Sequence, residues 1–175
     1  MHRIGVSIAV PEPWGRQLQD YRVRLGDLAA IQIPTHITLL APLEVAPAEI
    51  GGIIRHLQVA AGQSDSIKVH LRGTGTFRPV SPVVFINVAT GISQLERLSQ
   101  AVRQGPLAVE SKFPYHPHVT VAHEVSEEML DQAYTELASF EAEFEATHCW
   151  LYLHDDESGW QPERSFALGR RLNGD

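Results

Sequence analysis

Residues 115–122 of the chain read YHPHVTVA, and residues 34–41 read PTHITLLA, so that His36 lies eighty-two positions before His118. Both stretches place a His-x-Thr pair inside an apolar run. Successive side chains of a β-strand point to opposite faces, so each histidine shares a face with the threonine two residues later. The two stretches therefore predict two strands, each with one buried face and one face that presents an imidazole and a hydroxyl group.

The segments around these strands predict that one plan is used twice. Each half contains an alternating strand, an amphipathic helix, a His-x-Thr strand and a second amphipathic helix. Besides the His-x-Thr strand, the first half has elements at residues 4–10, 14–28 and 50–57, and the second half has elements at residues 83–88, 92–102 and 126–140. Ser126, followed by two glutamates, is the expected N-cap of the last helix. Ile4 and Val6 precede Ile86 and Val88 by the same eighty-two positions, which extends the apparent repeat to the first strands.

A repeat of this kind predicts an α+β fold with two lobes related by an approximate two-fold axis. Each lobe would be an antiparallel sheet with helices on its outer face, and the active cleft would lie between the lobes. We expect residues 1–175 to form one bilobal domain. The first lobe is mainly residues 1–72 and includes a strand at 67–72, and the second is mainly residues 80–145. Two closing strands, at residues 147–153 and 165–170, follow within 147–170.

The composition excludes several classes of protein. With 175 residues and 43% apolar content, the chain is long enough to bury a core without disulfides or structural metals. The single cysteine, Cys149, cannot form an intramolecular bridge. No signal peptide and no apolar run of about eighteen residues is visible, so we expect a cytoplasmic monomer with no membrane contact.

The net charge of −7 argues against an extended nucleic-acid footprint, because such binding uses many Lys and Arg contacts to phosphates. A small phosphorylated ligand needs only a local group of donors. The charge therefore says nothing against a ligand of this kind.

Two opposed histidines suit displacement at phosphorus. Near neutral pH one imidazole can accept a proton from the entering oxygen while the other donates a proton to the leaving oxygen, and this chemistry needs no metal. Hydroxyl groups on the same faces can donate hydrogen bonds to the non-bridging phosphate oxygens. The candidate catalytic residues are therefore His36, Thr38, His118 and Thr120.

The paired motifs HITL (residues 36–39) and HVTV (residues 118–121) resemble those of the two-histidine phosphoesterase superfamily. This superfamily includes RNA 2′,3′-cyclic phosphodiesterases and 2′-5′ RNA ligase-like proteins. The resemblance implies a bilobal fold, a central cleft that holds both histidines, no cofactor or metal, and hydrolysis of a 2′,3′-cyclic phosphate to a 2′-phosphate. RNA ligation is less expected, since no basic track is present for a second strand.

Several further residues are candidates for ligand contact. Phe77 and Tyr115 could stack on a base or could pack where the lobes meet, and Arg78 and His116 could bind the substrate. Trp160 is a weaker candidate. Nucleic-acid-acting relatives often carry an arginine shortly after the second motif, where this chain has His123.

Three alternatives remain open from the sequence. His116 and His118 could begin a transition-metal site, with Glu124 as a further ligand, although Glu124 is expected to leave the strand. The cleft could instead bind a nucleotide or phosphate without turning it over. It could also act on a small metabolite rather than on RNA. Which histidine is the base and which the acid is not decided by the motifs.

Overall fold

The computed structural model of the protein describes residues 1–169. Within this range the strands are β1 (His2–Ala9), β2 (His36–Val45), β3 (Ile67–Thr76), β4 (Val83–Thr90), β5 (His118–His123), β6 (Glu141–Ala146), β7 (His148–Asp155) and β8 (Gly159–Ala167). The helices are α1 (Trp14–Leu25), α2 (Ile50–Gly62), α3 (Ile92–Val102) and α4 (Glu127–Glu136). None of these helices is long and apolar enough to cross a membrane.

The strands form two four-stranded antiparallel sheets, one in each lobe. The first sheet has the order β2-β1-β7-β8, and the second has the order β5-β4-β3-β6. Each sheet therefore ends in a His-x-Thr strand, which lies beside the first strand of the same half. The predicted α+β fold with two antiparallel lobes is confirmed.

The register of the sheets shows how the two halves correspond. Ser7 pairs with Thr38 in the first sheet, and Phe85 pairs with Thr120 in the second, so the first strands are related by seventy-eight positions. The prediction that the eighty-two-residue offset extends to the first strands was wrong. The connection from the first strand to the His-x-Thr strand is four residues longer in the second half, which shifts the offset.

Strand β3 corrects the expected lobe boundary. It pairs with β4 and β6 and therefore belongs to the second sheet, whereas residues 67–72 were expected in the first lobe. A tight connection, in which the Phe77 backbone N–H donates to the Val83 carbonyl at 3.1 Å, makes β3 and β4 neighbours. The closing strands β7 and β8 complete the first sheet, and β8 begins at Gly159 rather than at Ser165. Its predicted end at Arg170 lies outside the described residues.

The helices agree with the sequence patterns except at their ends. Helix α1 stops at Leu25 because Gly26 adopts a φ of 102°, which favours glycine, so Leu28 is 68% exposed rather than buried. Helix α4 is capped by the Ser126 hydroxyl, as predicted, but ends before Phe140. Helix α1 contacts β5 and α3 contacts β2, so each of these helices reaches the His-x-Thr strand of the other half.

Candidate active site

The two histidines occupy equivalent positions, each at the first residue of its strand. The Nδ1 atom of His36 lies 2.6 Å from the Pro34 carbonyl oxygen, and Nδ1 of His118 lies 2.6 Å from the His116 carbonyl oxygen. A carbonyl only accepts, so Nδ1 carries the proton in both rings. In the neutral form each Nε2 is then left as an acceptor, and both imidazoles have the same tautomer and a fixed orientation.

The protonation of both histidines is shifted towards the neutral form. Burial lowers the pKa of His36 below its ordinary value, and the hydrogen bond to Pro34 offsets part of this effect. Burial also lowers the pKa of His118, which the charges of His116 and His36 lower further. The charge of His36 is thus one of the causes that lower the pKa of His118.

The residues between the motif positions are buried, as the alternation predicts. Ile37, Val119 and Val121 are 0% exposed, and Leu39 is 1% exposed. The histidines and threonines on the opposite faces are half-buried. Each His-x-Thr strand thus packs one face into the core of its lobe and carries its histidine and threonine on the other, half-buried face.

Two cavities open on this polar face. A smaller one of about 170 Å³ lies beside His36, and a larger one of about 680 Å³ lies beside His118. Both are lined by Thr38, Leu40 and Pro42. The larger cavity is bounded by residues of both halves, and Thr120 lines neither. The two cavities adjoin at the first His-x-Thr strand and together form a cleft.

Aromatic rings surround the second histidine. The Phe77 ring centroid lies 4.9 Å from that of His118 and 5.4 Å from that of His116, and Phe85 lies 5.2 Å from both. His116 stacks on His118 at 5.7 Å but precedes β5 instead of sharing the strand. Pro117 explains this, since it has no N–H for the strand ladder.

Tyr115 connects the two motifs. Its hydroxyl donates to the Thr38 carbonyl oxygen at 2.7 Å, and the Arg103 guanidinium lies 5.8 Å from its ring centroid. The segment that leads into His118 is therefore bonded to the strand that carries His36. The tyrosine ring also lines the larger cavity.

Comparison with known proteins identifies the family. A sequence profile of the 2′-5′ RNA ligase superfamily matches residues 10–158. The chain belongs to this superfamily. A Bacillus licheniformis protein that bears the name "Putative phosphoesterase" is 30% identical over 162 residues, which is 88% of this chain and 94% of that protein.

Solved structures share the fold. Escherichia coli LigT in apo form has a TM-score of 0.72 at 21% identity, covering 97% of this chain and 98% of that chain. LigT complexed with 3′-AMP has a TM-score of 0.68 at 20% identity, covering 95% and 98%. The two-lobed architecture of this chain is therefore similar to that of LigT.

Arg78, a predicted contact residue, has other partners. Its Nη1 atom forms ion pairs with Glu127 at 3.0 Å and Asp131 at 2.7 Å, so helix α4 engages this guanidinium, which lines neither cavity. The His123 side chain is 45% exposed and also lines neither cavity.

One cluster of possible metal ligands is present within residues 1–169. His70, Glu141 and Glu143 have ligand atoms within 4.8 Å of one another, on β3 and β6 rather than on a His-x-Thr strand. Nε2 of His70 already lies 2.6 Å from Glu141. Within the same range no third ligand group accompanies His116 and His118, and Glu124 leaves β5 at a φ of 54°.

The structure adds residues that the motifs did not indicate. Ser7 and Tyr152 line the smaller cavity and are 6% and 9% exposed, and Trp160, a weak candidate from sequence, lies with them. Phe85 joins the aromatic surroundings of His118. No local sequence pattern predicts the cross-strand register that brings these residues close to the motifs.

Proposed function

We propose that the protein is a phosphodiesterase that opens a cyclic phosphodiester by acid–base catalysis between His36 and His118. The observation that carries this proposal is the matched hydrogen bonding of the two rings, which leaves both Nε2 atoms available. One Nε2 accepts a proton from water as its oxygen attacks phosphorus. The other, protonated beforehand, donates to the oxygen that departs, so one P–O bond forms, one breaks, and a phosphomonoester remains.

The threonines would stabilise the transition state. Thr38 and Thr120 follow their histidines by two residues on the same strand faces, so their hydroxyls would donate to the non-bridging oxygens as negative charge builds there. Removal of one such donor typically raises a barrier by about 2.7–4 kcal/mol. The reaction as written uses only groups of this chain and water, so we expect it to proceed without a metal ion.

The substrate class that fits best is a 2′,3′-cyclic phosphate of a nucleotide or of an RNA end, opened to a 2′-phosphate. The resemblance of the motifs supports this class, and so does the structure of LigT complexed with 3′-AMP, a nucleotide bound by a protein with a similar fold. The net charge of −7 favours a small ligand and supports a second candidate, a phosphodiester metabolite that is not RNA.

The test is turnover of adenosine 2′,3′-cyclic phosphate in EDTA, with the product identified by phosphorus NMR. We expect conversion to the 2′-phosphate, and we expect loss of turnover in His36→Ala and His118→Ala with the fold retained. His148→Ala, an exposed histidine outside both cavities, is the matched control.

Two results would count against the mechanism. One is activity that disappears with chelator and returns with zinc. The other is full turnover in either motif variant. Binding of the nucleotide by the wild-type protein without any turnover would instead support a non-catalytic binding module.

A further inference from the structure

One arginine of the larger cavity lacks the partners that other enclosed arginines have. Nε and Nη2 of the buried Arg22 both donate to Asp27, at 3.0 and 2.6 Å. Arg78 donates through Nε to a hydroxyl group and through Nη1 to two carboxylates of α4. Arg103, in contrast, takes part in no ion pair within residues 1–169. Its Nε is the one buried side-chain nitrogen or oxygen of that range without a hydrogen-bond partner.

The backbone of Arg103 is nevertheless held firmly. Arg103 follows the last residue of α3, and its N–H donates to the Ser99 carbonyl oxygen at 3.0 Å. The Ser99 hydroxyl donates to the Leu39 carbonyl oxygen of β2 at 2.8 Å, so this end of the helix is bonded to the first His-x-Thr strand. A functional group on a rigid element keeps its geometry better than one on a loop. The packing of α3 on β2 therefore sets the position of Arg103 relative to the motif.

The Arg103 side chain faces the same cavity as the catalytic groups. Arg103, Tyr115, Thr38 and His118 all line the cavity of about 680 Å³, and Arg103 is the one arginine or lysine among its lining residues in the described chain. Glu110 also lines it, but its side chain is exposed. The Tyr115 hydroxyl bonds to the Thr38 carbonyl at 2.7 Å, and the guanidinium lies 5.8 Å from the Tyr115 ring centroid. One aromatic side chain thus spans the distance between the guanidinium and the first motif.

The ligand that matches this arrangement carries two anionic groups. A guanidinium binds phosphate or carboxylate through parallel N–H donors, and it stays charged at every accessible pH. Cavities of about 300–1,000 Å³ commonly hold a whole small ligand, so this one has room for more than a cyclic phosphodiester. A phosphodiester at the motifs would occupy one end of the cavity and leave the Arg103 charge for a second group of the same molecule.

We propose that Arg103 binds a second phosphate group of the substrate, outside the cyclic phosphodiester that His36 and His118 open. The inference rests on the proposed function, because it takes the cyclic phosphodiester to lie between the two histidines. It makes Arg103 a residue that determines specificity. The preferred substrate is then a cyclic phosphodiester with a further phosphate, such as a nucleoside 2′,3′-cyclic phosphate that is also phosphorylated at the 5′ oxygen.

The first test compares two substrates that differ in one phosphate. Adenosine 2′,3′-cyclic phosphate lacks the second phosphate, and its 5′-phosphorylated form carries it. Hydrogen bonds between charged groups are strong, so we expect wild-type kcat/KM to be higher by about tenfold or more for the 5′-phosphorylated substrate. Arg103→Gln should remove this preference by lowering kcat/KM for the 5′-phosphorylated substrate, with little change for the other.

Two further variants complete the comparison. Arg103→Lys keeps the charge but loses the planar fork, so its preference should lie between those of the wild type and Arg103→Gln. Arg97→Gln is the matched control, since Arg97 is exposed on the same helix and lines neither cavity. A wild-type protein without the preference would overturn the assignment, and this measurement needs no variant to fold. Equal losses on both substrates in Arg103→Gln would also overturn it, because the residue would then act on catalysis through Tyr115.

A dinucleotide separates two sources of the second phosphate. In a dinucleotide of two adenosines that ends in a 2′,3′-cyclic phosphate, the second phosphate is an internucleotide diester, whereas in the 5′-phosphorylated nucleotide it is a terminal monoester. A preference that depends on Arg103 for the monoester alone identifies a free nucleotide as the substrate. The same preference for both compounds identifies the end of an RNA.

Binding measured by calorimetry separates this inference from the proposed function. Wild-type protein should bind adenosine 2′,5′-bisphosphate more tightly than adenosine 2′-monophosphate, and Arg103→Gln should bind the two with similar affinity. If this difference is observed while neither cyclic substrate is opened, the proposed activity is wrong and the second phosphate site stands. If the wild-type protein binds both compounds equally, the second phosphate site is wrong, whatever the turnover.

Discussion

Tyr115→Phe removes one hydroxyl group and keeps the ring. The lost bond is the one from Tyr115 to the Thr38 carbonyl oxygen at 2.7 Å, which joins the segment before His118 to the strand of His36. The variant separates the two roles open to this residue. A residue that only stacks on a base would keep its function as phenylalanine, whereas one that fixes the distance between the motifs would not.

The stability effect follows from the unsatisfied carbonyl group. Leaving a buried acceptor without its donor costs about 1–3 kcal/mol. In a domain of this size each kcal/mol corresponds to a fall in Tm of about 2–4 °C. The catalytic effect follows from geometry, because a misplacement of about 1 Å between reacting groups can reduce the rate by about 10²-fold. We therefore expect kcat to fall by about tenfold or more while KM changes little.

Tyr21→Phe provides a matched control. The Tyr21 hydroxyl also donates to a residue of the other half, Glu136, at 2.7 Å, but this bond is exposed and neither residue lines a cavity. This variant should lose at most about 1 kcal/mol and keep its kcat. Scanning calorimetry and steady-state kinetics on both variants make the comparison. A Tyr115→Phe protein with a lowered Tm and an unchanged kcat would refute the positioning role.

Three further predictions concern pH, packing and charge. Because burial lowers the pKa of both motif histidines, the bell-shaped profile of kcat/KM should centre below the ordinary histidine pKa of about 6.5, and an optimum above pH 7 would contradict this. The unfolded chain then binds more protons than the folded one, so the free energy of unfolding should fall as pH drops below about 6.5, and should fall less in His36→Gln. Ser99→Ala should lower the free energy of unfolding in urea by about 1–3 kcal/mol, since its fully buried hydroxyl donates to the Leu39 carbonyl at 2.8 Å, and a change within about 0.5 kcal/mol would contradict this. Arg78→Met should leave KM unchanged, because the Arg78 guanidinium is paired with the carboxylates of Glu127 and Asp131. A large rise in KM would show that Arg78 contacts the ligand.

Local patterns predicted the parts of the structure that depend on local physics. The alternation of apolar and polar residues predicted the buried and polar faces of β2 and β5. Ser126, which precedes two glutamates, predicted the N-cap of α4. Both follow from the geometry of a single element, which the sequence specifies directly.

The features that were wrong or missing depend on distant partners. Strand β3 was predicted in the first lobe but pairs with β4 in the second. The alternation of apolar and polar residues predicts a strand but does not predict which strand it pairs with. No pattern in the sequence marked Arg22, which is 4% exposed and forms an ion pair with Asp27 at 2.6 Å. Tyr152 and Ser7 meet beside His36 only through the order of the first sheet.

The sheet orders also show how the two lobes are connected. The second sheet uses β3 to β6, which follow one another along the chain, so residues 67–146 build it from one continuous segment. The first sheet uses β1 and β2 from before this segment and β7 and β8 from after it. The second lobe is therefore inserted into the first, and within residues 1–169 the chain crosses between the sheets twice, once on each side of the inserted segment. Two crossings restrain the distance between the catalytic strands more than a single hinge would, which favours a preformed cleft over one that closes on its substrate.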